Sequence, residues 1–145
     1  MEFRHLTPSY AVSPQLTPED IPHMRAAGFT VLINNRPDAE VPAAMQGEAM
    51  RAACVAHGVT YVENPVVGGA ITMRNVRDQG EAIATATGPI LAYCASGNRS
   101  AITWALSQAG TRATEELITV PARFGYQLEP YRPQLEALAR TRPHL

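Results

Sequence analysis

Short apolar runs of strand length, separated by segments of helix length, constrain this chain more than any other feature. Phe29-Thr30-Val31-Leu32-Ile33 reads as a buried parallel strand, Val59 to Val62 as the next strand and Ile90-Leu91-Ala92-Tyr93 as the last clear one. A parallel strand covered by helices on both faces has no polar side to present. Helix signals lie between them. Thr17 as N-cap, Pro18 at the first helical position and Glu19-Asp20 in the first turn start one helix, and Gly28 closes it. Pro22 falls near enough to that start to be tolerated. A second helix runs from about Ala43 to Gly58, with Met50, Cys54 and Val55 on helical spacing. Thr72 caps a third that continues to about Ala86, ahead of Gly88-Pro89. Arg99 to Ala109 forms a fourth, and two short helices near Thr114–Ala122 and Pro130–Ala139 finish the chain. Phe3 to Val12 is an opening hairpin or edge strand. The alternation predicts an α/β fold with a short, mainly parallel sheet flanked by helices, residues 1–145 forming one domain.

A chain of 145 residues with 46% apolar content can bury a core of its own. A net charge of −1 carries no excess of basic residues, which argues against nucleic acid or an anionic membrane as partner. No window approaches the about 18 consecutive apolar residues of a membrane-spanning helix. The charged start Met1-Glu2-Phe3-Arg4-His5 is unlike a secretory signal. Cys54 and Cys94 are expected to be free thiols in a reducing compartment, which makes the expected location cytoplasmic. His5, His23, His57 and His144 share no ligand-like spacing, so neither a metal nor another cofactor is expected.

Chemistry concentrates in Cys94-Ala95-Ser96-Gly97-Asn98-Arg99-Ser100, where an apolar strand ends, a loop with an internal glycine follows and a helix begins. Ligands of open α/β sheets bind beyond the carboxyl ends of the strands. A thiol placed there faces unpaired N–H groups and the positive end of a helix dipole, which favour both a thiolate and an anionic substrate group. Gly97 frees the backbone of Ala95, Ser96, Gly97 and Asn98 to curl its N–H groups inward. Arg99 adds a bidentate guanidinium, and the Ser100 hydroxyl is a donor for the thiolate. Cys94, Arg99 and Ser100 are therefore the candidate catalytic residues. A free cysteine is more often a small buried hydrophobe, and Cys54, on the inward face of a helix, is expected to be one. Arg36 and Asp38 follow a buried strand and so reach the same edge as Cys94. There Arg36 either enlarges the anion field or pairs with Asp38 to shape a turn. Tyr93, Trp104 and Leu106 are expected to pack, while Phe124, Tyr126 and Tyr131 line either a pocket or the core.

The Cys-x-x-Gly-x-Arg-Ser loop resembles the active-site loop of rhodanese-type sulfurtransferases. With one residue fewer, it also resembles the Cys-x5-Arg loop of cysteine-dependent phosphatases. Ser13-Pro14-Gln15-Leu16-Thr17-Pro18-Glu19-Asp20, Ile33-Asn34-Asn35-Arg36-Pro37-Asp38 and Val66-Val67-Gly68-Gly69-Ala70-Ile71-Thr72 extend the likeness over nearly the whole chain. They are similar to one bacterial family, the beta-lactamase-hydrolase-like, phosphatase-like domain family, whose members are also described as sulfur transferases. The resemblance implies a dual-specificity-phosphatase-like three-layer fold. It also implies a domain that stands alone or beside a metallo-beta-lactamase-type persulfide dioxygenase, a candidate partner.

Two chemistries suit this loop. In sulfur transfer, Cys94 takes sulfane sulfur from a small anionic donor, thiosulfate or a glutathione persulfide, and passes it to an acceptor thiol. In phosphate-ester hydrolysis, it forms a phosphocysteine instead. The shorter loop is expected to fit one terminal sulfur better than a phosphoryl group. The stretch Asn64 to Thr72, where a phosphatase would carry its acid, holds no Asp or Glu. Asp38 or Glu40 substitutes only if the fold brings it near. These two points rank sulfur transfer first and the phosphatase second. A non-catalytic anion-binding or redox-sensing module built on the same thiol comes third.

Overall fold

The computed structural model describes residues 2–141, and His144 lies outside them. Its strands are β1 (Arg4–Thr7), β2 (Tyr10–Ser13), β3 (Val31–Asn34), β4 (Thr60–Glu63) and β5 (Ile90–Tyr93), in the sheet order β1-β2-β5-β3-β4. The opening segment is a hairpin, so β1 runs antiparallel to β2 and every other pairing is parallel. Period-two alternation divides each central strand between two cores. Tyr10, Val12, Val31, Ile33, Ile90 and Ala92 face one, which α3 (Met73–Thr85), α4 (Asn98–Ser107), α5 (Thr114–Ala122) and α6 (Arg132–Thr141) cover. Ala11, Leu32, Leu91 and Tyr93 face the other, under α1 (Ile21–Ala26) and α2 (Gly47–Ala56). Trp104 and Leu106 pack in the first core, and the Trp104 ring stacks on Tyr10 with centroids 6.1 Å apart.

Two helix starts differ from expectation for local reasons. Pro18–Asp20 is a 3-10 turn in which Asp20 Oδ2 accepts the Thr17 N–H at 2.8 Å, and the α-helix proper begins at Ile21. Pro22 is thereby confined to a first turn, where its missing N–H costs nothing. The second helix begins at Gly47 rather than near Ala43, because Gln46 is extended and Ala43–Met45 is a separate 3-10 turn. Asp38 Oδ1 accepts the Gly47 N–H at 2.8 Å and fixes that start. The Thr72 cap is where the sequence places it, with Thr72 Oγ1 accepting the Asn75 N–H.

Register determines what meets at the sheet's carboxyl edge. Ser13 and Asn34 both pair with Tyr93, and Glu63 pairs with Asn34. Four strands thus end level, and the residues that follow them (Pro14, Asn35, Asn64 and Cys94) share one rim.

Candidate active site

Cys94 sits at the base of this rim, 1% exposed, one residue past β5. The loop above it is held from behind by its carbonyls. Gln15 N–H donates to Ala95 O at 3.2 Å, and the Tyr126 hydroxyl donates to Ser96 O at 2.8 Å. In a trans peptide the C=O of one residue and the N–H of the next point opposite ways. Carbonyls drawn backward therefore turn the Ser96 and Gly97 N–H groups toward the thiol side. The Gly97 N–H meets Cys94 Sγ at 3.2 Å. Gly97 makes the turn at φ +96°, and a Cβ there would lie 2.2 Å from Tyr126 Oη, so conformation and space both require glycine. Asn98 then opens α4 and is exposed, as are Ala95 and Ser96.

Arg99 lies over the cradle, 15% of its side chain exposed. Its guanidinium grips the Glu40 carboxylate with two bonds, of 2.8 and 3.0 Å, and donates a third to Val66 O at 2.6 Å. The Cys94 sulfur also interacts electrostatically with this guanidinium. The fork is thus held by Glu40 and Val66 within electrostatic reach of the Cys94 sulfur. Arg36 completes the group, with Nε donating to Glu40 Oε1 at 2.8 Å and Nη1 to Gln15 Oε1 at 3.0 Å. The Glu40 carboxyl is held below the usual carboxylate range, first by its bonds to Arg99 and then by Arg36, against partial desolvation. It is an ionised positioning group and an unsuitable proton donor.

Three expectations change here. Arg36 pairs with Glu40 rather than with Asp38. Asp38 commits one carboxylate oxygen to capping α2, so its first role is structural. The Ser100 hydroxyl donates to Asn35 Oδ1 at 2.8 Å instead of to Cys94. Tyr126 packs in the core, one of the two expected alternatives, and its hydroxyl also reaches the back of the loop, where Arg4 Nη1 donates to it at 2.5 Å. Nothing local in the sequence marks Arg4, Gln15 or Tyr126 for that task, since each is brought there by tertiary packing alone. Cys54 is fully buried against Met50, Ile21 and Leu32, and burial pushes its thiol up to about 11. Among the described residues, no three His, Cys, Asp or Glu side chains converge as a metal site. No helix among them is long and apolar enough to cross a membrane.

Arg99→Lys is expected to weaken inhibition by a small oxyanion by roughly tenfold, because lysine keeps the charge and loses the planar fork held by Glu40. Melting temperature should change little, since the ion pair is at a partly exposed rim. Inhibition constants for sulfate and phosphate, measured beside thermal unfolding, check this. An unchanged constant would place Arg99 outside the anion site.

Residues 2–111 match the family described as Beta-lactamase hydrolase-like protein, phosphatase-like domain. A Beta-lactamase hydrolase-like protein of Xylella fastidiosa (strain Temecula1) is 32% identical over 120 residues, which is 81% of this chain and 28% of that protein. The chain thus spans less than a third of that relative's length. The crystal structure of a candidate phosphatase from Neisseria meningitidis Z2491 superposes with a TM-score of 0.80 at 28% identity, covering 95% of this chain and 99% of that one. The active form of Tk-PTP gives a TM-score of 0.71 at 15% identity over 97% of both chains, a likeness of fold. The architecture is the α/β, dual-specificity-phosphatase-like three-layer fold anticipated from the family resemblance. The strand, loop and helix that carry Cys94 and Arg99 all fall inside the matched region, and the chain belongs to the beta-lactamase hydrolase-like, phosphatase-like domain family.

Proposed function

We propose that the chain is a cysteine-dependent phosphatase that acts on esters with good leaving groups. The observation that carries this is the convergence of the Cys94 sulfur, the Gly97 N–H and the Arg99 guanidinium at a helix N-terminus. Cys94 thiolate attacks phosphorus, the P–O bond to the leaving group breaks, and the departing oxygen carries away the electron pair. Loop N–H groups and Arg99 hold the equatorial oxygens as charge develops. Water then hydrolyses the phosphocysteine and releases phosphate. Proton supply limits the substrate range. Glu40 is ionised by its two arginines and Asp38 caps α2. A general acid contributes about 10²- to 10⁴-fold, so alkyl esters should lag behind aryl esters by roughly that margin. Family membership and the Neisseria meningitidis neighbour support this choice over sulfur transfer, reversing the order that loop length and the acid-free Asn64 to Thr72 stretch suggest.

Sulfur transfer stays as the second reading on one specific observation. The loop from Cys94 to Arg99 is a residue shorter than the phosphatase pattern, and sulfite or thiolate departs without a proton donor. In that reaction Cys94 thiolate attacks the sulfane sulfur, the S–S bond breaks and the donor leaves with its electron pair. The Cys94 persulfide then passes its sulfur to an acceptor thiol. A persulfide dioxygenase would be a fitting partner for that activity.

Turnover of an aryl phosphate, an alkyl phosphate and thiosulfate, with intact-protein mass spectrometry after acid quench, separates the two. The expected result is aryl phosphate hydrolysis, a phosphoryl adduct on Cys94 and poor alkyl turnover. A gain of one sulfur with no phosphate released would replace the phosphatase by the sulfurtransferase. Neither adduct nor turnover would overturn both and leave the non-catalytic module.

A further inference from the structure

The site rests on a closed set of buried amides centred on Gln79, which lies midway along α3 and is fully buried. All four hydrogen-bonding positions of this side chain are filled. Its Oε1 accepts from Asn35 Nδ2 at 3.0 Å and Asn64 Nδ2 at 2.8 Å. Its Nε2 donates to Tyr10 Oη at 2.9 Å and Asn35 Oδ1 at 3.1 Å. The carboxamide is thus complete, which a buried polar group requires and which makes it costly to disturb.

Each partner leads to the catalytic rim. The Tyr10 hydroxyl donates to Ser100 O at 3.0 Å, and Asn35 Oδ1 receives the Ser100 hydroxyl at 2.8 Å. Both bonds fasten the first turn of α4, whose preceding loop cradles Cys94. Asn64 is locked further by Asn75, with Asn75 Nδ2 donating to Asn64 Oδ1 at 2.8 Å and to Pro65 O at 3.0 Å. The next residue but one is Val66, whose N–H donates to Asn35 O and whose carbonyl grips Arg99. One side chain therefore registers two elements against each other: the helix that presents the loop donors and the segment that aims the guanidinium.

We infer that Gln79 is a positioning residue, which sets the Arg99 guanidinium against the Cys94 loop through Asn35 and Asn64 on one side and Tyr10 on the other. This rests on the assignment of Cys94 and Arg99 as nucleophile and anion site. Gln79 touches no reacting atom, and its effect is exerted through the geometry of groups that do.

The test compares alkylation of Cys94 by iodoacetate, which carries a carboxylate, with alkylation by neutral iodoacetamide. The ratio of the two rates, divided by the same ratio for free cysteine, reports how well loop and guanidinium together receive an anion. Wild-type protein should give a ratio well above one. Gln79→Met should lower it by roughly fivefold or more, since displacements near 1 Å in a positioned group cost up to about a hundredfold in rate. Tyr10→Phe, which keeps the ring and removes one link, should lower it in the same direction and decides the matter if Gln79→Met does not fold. Leu135→Ala, which opens a cavity in the same core at α6, should lower the melting temperature and leave the ratio alone. A wild-type ratio near one would overturn the anion site and this inference with it. A wild-type preference kept to within about twofold by the folded variants would leave the anion site standing and overturn the role of Gln79.

Discussion

Cys94→Ser is expected to lower turnover by about a thousandfold or more, while Cys54→Ser leaves the turnover of folded protein unchanged. A serine hydroxyl remains protonated near neutral pH, and the Glu40 carboxylate is already bound to two arginines. The loop donors would survive the change and still bind an anion, so binding and chemistry should separate. The two cysteines differ by environment. Cys54 is packed among Ile21, Met24, Met50 and Leu91, and desolvation raises its pKa to about 11, which leaves almost no thiolate at neutral pH. Placing a hydroxyl there without a partner should cost about 1–3 kcal/mol, read as a lower melting temperature with kcat intact. A dead Cys54→Ser beside an active Cys94→Ser would overturn the assignment.

What the sequence made legible follows from periodicity and local chemistry. The three apolar strands, the Thr72 cap and the strand-to-helix loop at Cys94 each depend on residues within a few positions of one another. The same holds for Gly97, whose turn is decided by its own backbone. Glu40 was within reach as well, as an acid one turn past a buried strand, but its role was not. Whether such a carboxylate donates a proton or orients an arginine depends on Arg99, which reaches it from α4 and joins the local Arg36 four residues before it.

The Ser100 hydroxyl illustrates the limit from the other side. An arginine-serine pair at a helix start predicts a hydroxyl aimed at the thiolate, and the prediction fails because Asn35 arrives from β3 with a better-placed acceptor. Gln79 did leave a trace. With Val76 and Ile83 it falls on the inward stripe of α3, where a polar side chain signals a buried network. Its partners Asn35 and Asn64 directly follow the adjacent strands β3 and β4. That adjacency is a property of the sheet order, which no local pattern encodes. The ranking of chemistries shifted for a similar reason, since loop length and the acid-free Asn64 to Thr72 stretch are local whereas the fold and family extend over the chain.

Gly97→Ala is expected to reduce turnover by roughly a hundredfold, a loss with two separable causes. The first is conformational, because φ +96° lies where a Cβ meets its own backbone and costs about 1–2 kcal/mol. The second is spatial. The new methyl would stand 2.2 Å from Tyr126 Oη, which donates to Ser96 O and accepts from Arg4. Displacing that hydroxyl releases the Ser96 carbonyl, and the peptide that aims the Gly97 N–H at Cys94 Sγ is then free to rotate. Tyr126→Phe alone removes the brace and should lower turnover by a smaller factor, about threefold to tenfold, the worth of one hydrogen bond. Added to Gly97→Ala, it removes the worst contact and leaves the ring carbon Cζ at 3.0 Å and the backbone strain, so the double variant should recover part of the loss and be more active than Gly97→Ala alone. That inversion, in which a second damaging substitution restores activity, distinguishes the spatial cause from simple additivity. Kinetics on the four proteins of this cycle, with alkylation of Cys94 followed in parallel, measure it. If the double variant is the least active of the four, Tyr126 does not crowd the loop, and the loop must be held by its glycine conformation alone.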